Sequence, residues 1–248
     1  MAATFPVTNG PARTDSHASL IVVGTGPFGA RVARQLLSTH AASALLTAAD
    51  IRNAFAFARE AVVVAMWRPE PALCERADEL SYRHRVRWLP IVLEHPVVRV
   101  GPLVCPPAGP CFRCYRRRRE QHDTQPAATA ALLAAYAADP AGGPGGYLPQ
   151  HARIAAGVAG QLIRGRPADG FIEGTGQRAA ATAGQVTTIR LLNGSISVSP
   201  VIGCHDCDRC GGPAGPAGRL DAVIGAAVPG HRGPAWQDGL ALAQEATR

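Results

Sequence analysis

Two Cys-x-x-Cys pairs, Cys111/Cys114 and Cys207/Cys210, stand 92 residues apart in the 248-residue chain. They constrain the fold more than any other feature. Each such turn presents two thiolates to one ion, and zinc takes four soft or borderline ligands in a tetrahedron. The separation far exceeds that of a small zinc ribbon, so folding must bring the pairs together across most of a domain. A four-cysteine site is closed and has no open position for catalysis. Cys204 and His205 stand beside the second pair, and either could replace a ligand. The competing reading is two unrelated pairs, one of them redox-active. Seven cysteines without an apolar signal core favour metal ligation over disulfides.

The second motif is a glycine turn. Residues 20–23 (LIVV) form a short apolar run that ends at GTGPFG and continues as ARVARQLL, the order strand, turn, helix. Gly24 permits the tight turn, Gly26 allows a ligand to approach the backbone, and Gly29 lets the helix pack close on the strand. Asp50 follows Gly29 by 21 residues, where a ribose-binding acid would stand. These four residues form a candidate nucleotide site, set against an inherited turn that binds nothing.

Composition narrows the chemistry. All 25 basic residues are arginine, which excludes both a Schiff-base lysine and a P-loop lysine. The net charge of +7 favours acidic partners, while 5% aromatic content argues against a base-stacking nucleic-acid surface. No run of 18 apolar residues exists to cross a membrane. Arg116 and Arg119 in the run after Cys114 share one helix face and could form forks with carboxylates, against the bland reading of a solvated face.

The remaining pattern gives an α/β chain. Buried strands are predicted at 61–66, 86–94 and 96–104, with a weak one at SALLTA. Helices are predicted at 71–85, 126–138 and 151–165. Two alternating segments around Asn193–Gly194 signal a C-terminal β-hairpin. Residues 1–17 read as a flexible tail, 18–211 as one domain, and 212–248 as a Gly/Pro-rich tail.

The segments IVVGTGPFGARVARQL, AVVVAMWRPEP, VGPLVCPPAGPCFRC and GQVTTIRLLNGSISVSPVIGCHDCDRC resemble the ThiF-like component of azoline-forming cyclodehydratases. These proteins help modify ribosomally made peptides. The resemblance covers about residues 18–211 and implies a Rossmann-like, ThiF-type sheet with a structural four-cysteine zinc site. It implies a cytoplasmic, non-catalytic partner that engages the leader of a precursor peptide and activates a YcaO protein. That partner would use ATP to cyclise Cys, Ser or Thr onto the preceding amide. Adenylating members of the wider group carry an acidic-x-acidic strand end and a lysine; AADIRNAF and the missing lysine depart from both. Family members usually open with a winged-helix leader-recognition domain; only a short segment precedes the first strand here, which is compatible with leader recognition by a separate protein. A homodimer is compatible with the family. The alternatives are a small NAD(P)-binding oxidoreductase using Gly24–Gly29 and Asp50, and an active adenylating enzyme.

Overall fold

The computed structural model describes residues 19–40, 43–139, 141–165, 182–205 and 207–211. The stretches expected to be tails, 1–17 and 212–248, lie outside them. Seven strands form one sheet: β1 (Leu20–Thr25), β2 (Ser43–Leu46), β3 (Ala61–Met66), β4 (Arg87–Glu94), β5 (Val97–Val100), β6 (Gln185–Arg190) and β7 (Ile196–Pro200). Their order is β2-β1-β3-β4-β5-β6-β7. The first four are parallel, and β5, β6 and β7 each pair antiparallel with the strand before.

The described residues form six α-helices: α1 (Gly26–Thr39), α2 (Ile51–Phe57), α3 (Pro71–His84), α4 (Phe112–Gln121), α5 (Pro126–Ala138) and α6 (Pro149–Ile163). Four of these, α1, α3, α5 and α6, carry proline in the first turn, where its missing N–H costs nothing. None of the described helices is long and apolar enough to cross a membrane.

The sheet separates two cores. Leu20 and Val22 of β1, Ala61, Val63 and Ala65 of β3, and Leu89, Ile91 and Leu93 of β4 pack on the side of α1 and α6. The alternate residues Ile21, Val23, Val62, Val64, Met66 and Trp88 pack on the side of α2, α3 and α4. Burial on both faces explains why β3 reads as an unbroken apolar run, Ala-Val-Val-Val-Ala-Met, with every residue buried. Each fully buried valine contributes roughly 1.5–3 kcal/mol.

The two alanine-rich helices meet different fates. On α6, Ala152, Ala155, Ala156, Ala159 and Gly160 form a small-residue stripe that lets α1 approach. On α5 no residue is buried, and Leu132 is 48% exposed.

Candidate metal centre and the glycine turn

Cys111 is the N-cap of α4 and Cys114 lies in its first turn, so one helix start fixes both thiols. Cys207 and Cys210 arrive from the turn after β7. All four residues are buried, and their sulfurs lie within 4.8 Å of one another. The Sγ separations are 3.8 Å for Cys111–Cys114, 3.4 Å for Cys111–Cys207 and 3.3 Å for Cys114–Cys210. Four Zn–S bonds of about 2.3 Å in a tetrahedron require sulfurs about 3.8 Å apart. A slight expansion of the cluster therefore accommodates the ion, and the donor set fits. The four thiols do not hold their protons equally. The hydrogen bond from Cys111 pulls Cys210 down to about 5, and the same contact pushes Cys111 up.

The neighbours at the second pair are resolved by their contacts. Cys204 donates its backbone N–H to Cys114 Sγ at 3.1 Å, an interaction that favours a thiolate there. Its own thiol approaches Cys114 O at 3.8 Å. Neither Cys204 nor His205 belongs to the four-residue cluster.

What holds the two pairs together lies on α3. Glu75, Asp78 and Tyr82, spaced i, i+3 and i+7, share one helix face. Asp78, fully buried, accepts hydrogen bonds from Phe112 N–H at 3.0 Å, Trp88 Nε1 at 3.3 Å and Arg209 Nη1 at 2.7 Å. It therefore caps the first turn of α4 and grips the second cysteine turn at once. Burial raises its pKa, against the lowering hydrogen bonds from Arg209 and Phe112. Glu75 accepts from Arg113 at 2.7 Å and pairs with Arg209 at 3.1 Å. Arg113 also reaches Asp208 at 2.9 Å. Among the described residues the buried Tyr82 hydroxyl has no hydrogen-bond partner, and its ring packs against the cysteines. Asp78, Glu75 and Arg209 escape a search for ligands, yet a signal exists. Both turns carry arginine just before their second cysteine, in Cys-Phe-Arg-Cys and Cys-Asp-Arg-Cys.

Arg116 and Arg119, expected to face an acidic partner, find carboxylates within the chain. Arg116 pairs with Glu120 at 3.4 Å and lies 3.9 Å from Glu75; Arg119 pairs with Glu94 at 3.0 Å. Both remain about half exposed.

The glycine turn lies at the end of β1 as the sequence predicts. Gly29 packs so close to β3 that a Cβ there would collide with Ala65 O. Gly26 has a φ of +61°, and a Cβ on it would run into the Trp67 indole. The space reserved by the sequence for an approaching ligand thus holds the chain's own side chain. Trp67 is covered in turn by Gly143, and Arg68 beside it donates to Asp139 O at 2.7 Å and to Gly142 O. Tyr147 donates to Pro27 O at 3.0 Å and packs edge-on against Phe28, with ring centroids 5.2 Å apart. Residues 141–147 are thereby fastened over the strand ends where open α/β sheets receive ligands. Thr25 of the turn donates to Glu70, which sets a carboxylate beside the place a phosphate would occupy. Asp50 sits beyond β2 at the end of a 3-10 turn (Ala48–Asp50), accepting from Thr47 at 2.7 Å.

No protein-family model and no curated protein sequence matches the chain. Solved structures do. The heterocyclase TruD superposes with a TM-score of 0.54 at 16% identity, over 79% of this chain and 28% of that one. The E. coli microcin synthetase McbBCD complex contains a chain matching with a TM-score of 0.53 at 10% identity, over 80% and 71%. A heterocyclase in complex with substrate and cofactor matches with a TM-score of 0.51 at 15% identity, over 79% and 25%. The chain thus shares a fold with two heterocyclase structures and with a chain of a microcin synthetase complex. The chain spans about a quarter of the length of the two heterocyclases.

Proposed function

We propose that this chain is the ThiF-like, non-catalytic component of a peptide cyclodehydratase, with a Rossmann-like sheet, a C-terminal β-hairpin and one structural zinc on Cys111, Cys114, Cys207 and Cys210. It engages a ribosomally made precursor peptide, with or without a separate leader-recognition protein, and activates a YcaO-family partner in the cytoplasm. The partner performs the ATP-dependent closure of Cys, Ser or Thr onto the preceding amide. The observation that supports this reading is the pairing of a closed four-thiol cluster with a glycine turn filled by Trp67, on a fold shared with a heterocyclase and a microcin synthetase. The first suits a structural metal; the second sets the Trp67 indole against Gly26, which counts against the oxidoreductase and adenylating alternatives. Arg116 and Arg119, half-exposed on α4, form the proposed partner surface.

The test is reconstitution. A YcaO protein and precursor encoded beside this chain are incubated with ATP, with and without it, and the peptide is weighed by mass spectrometry. Loss of one water mass per ring only when this chain is present supports the reading. Equal ring formation in its absence overturns it.

A further inference from the structure

Away from both motifs, the groove between α1 and α6 opens into a cavity of about 200 Å³ lined by Arg31, Arg34, Gln35, Pro149, Ala152 and Arg153. Three guanidinium groups border it and no carboxylate does. Among the described residues eight arginines (76, 83, 87, 99, 113, 116, 119 and 209) are paired with acids, while others, such as Arg52 and Arg59, stand apart and border no shared cavity. Arg31, Arg34 and Arg153 have no such partner among the described residues. Three like charges around one small cavity repel one another, and an anion between them removes that repulsion. The platform is firm: Ala152, Ala155, Ala156 and Ala159 of α6 are buried against the α1 side of the sheet. Arg31 and Arg34 stand one turn apart on α1, and Arg153 faces them from α6.

We propose that this groove binds the carboxylate side chains of an acidic peptide segment, with Arg31, Arg34 and Arg153 as the recognising forks. The cavity is smaller than the roughly 300–1,000 Å³ of a small-molecule pocket, so it takes protruding groups and not a whole ligand. Guanidinium forks match carboxylate and phosphate alike. Phosphate sites at helix starts are built from free backbone N–H groups. Here α6 begins with Pro149, which has none, and the N–H of His151 already donates to Leu148 O at 2.9 Å. Recognition therefore falls to the three guanidinium side chains, and the phosphate arm of the experiment separates the two anions. This site is separate from the cysteine cluster and from α4, and its test uses the protein alone.

The probe is a fluorescein-labelled peptide of alternating Glu and Gly, followed by fluorescence anisotropy at low salt. The triple variant Arg31→Gln/Arg34→Gln/Arg153→Gln weakens binding by about tenfold or more, since three exposed charge pairs are lost together. All three residues are exposed, so its thermal melt stays at the wild-type position. Arg52→Gln/Arg59→Gln, which removes the same kind of charge from the α2 side, leaves binding within about twofold. Inorganic phosphate at the peptide's concentration does not displace it. Equal affinity for wild type and triple variant, or an equal loss in the α2-side control, overturns the proposal; displacement by equimolar phosphate assigns the groove to a phosphate group instead.

Discussion

The cysteine cluster and the glycine turn are the two places where the backbone is shaped for a ligand, and they differ in what fills the centre. At the cysteines, four donor atoms converge and the surrounding charges are arranged around them, with Asp78 and Glu75 gripping an arginine from each turn. At the glycines, the backbone is just as close-packed, but an indole occupies the focus and a loop is tied down over it. A motif that demands small residues records only that something comes near. A motif that supplies donors also records what that something is.

The largest effect that could break this contrast is at the thiols. Replacing Cys111 with Ser should yield metal-poor, poorly folded protein, because ion binding and folding are coupled in such sites. Cys74→Ser, at a buried cysteine outside the cluster, should keep a full equivalent of zinc. Metal analysis of the two variants decides the matter, and normal zinc in the Cys111 variant would remove the assignment.

Next comes Asp78→Ala. It strips Arg209, 11% exposed, of its buried partner and uncaps α4, which should cost about 3 kcal/mol, the low end for a broken buried pair because Glu75 still reaches Arg209. Chemical denaturation reads the loss, and faster release of zinc to a chelator distinguishes a role at the cluster from general destabilisation.

Trp67→Ala should cost about 2–3 kcal/mol, less than a fully buried tryptophan because the ring is partly exposed. Calorimetric titration with ATP should stay silent in the wild type and in the variant, since the chain has no lysine and Arg68 beside the turn is already held by Asp139 O and Gly142 O. Heat of ATP binding in the wild type would show that the indole yields its place.

The smallest effect is at α4. The double variant Arg116→Ala/Arg119→Ala loses exposed pairs worth about 0–1 kcal/mol each. Affinity for a YcaO partner should fall several-fold at low salt, and the loss should shrink as salt screens it. Calorimetry at two ionic strengths checks both.

What is legible without the structure follows the same division. The cysteines, the apolar run of β3 and the proline-led starts of α3 and α5 announce themselves because each rests on local chemistry. Helix α2 escapes a sequence reading: Ile51–Phe57 is only seven residues long, too short to build a periodic pattern. Asp78 escapes it because an acid in the middle of Glu-Arg-Ala-Asp-Glu looks like a solvated helix face, and only the fold turns it inward. Trp67 reads as the first residue of a linker; nothing local says that it will reach across to Gly26. The spacing of Arg116 and Arg119 says that they seek carboxylates, and they do, but it cannot tell which.

One consequence of α5 remains. Its 13 residues carry no charge from Pro126 to Ala138, and none of them is fully buried, Leu133 and Tyr136 being only partly covered. An isolated helix of that length is marginal in water even when alanine-rich. In heavy water the amides of α5 should therefore take up deuterium early, while those of α6, of similar length and also rich in alanine, are shielded for as long as the whole domain stays closed. The two helices should thus run as fast and slow clocks within one chain, set by burial and not by composition.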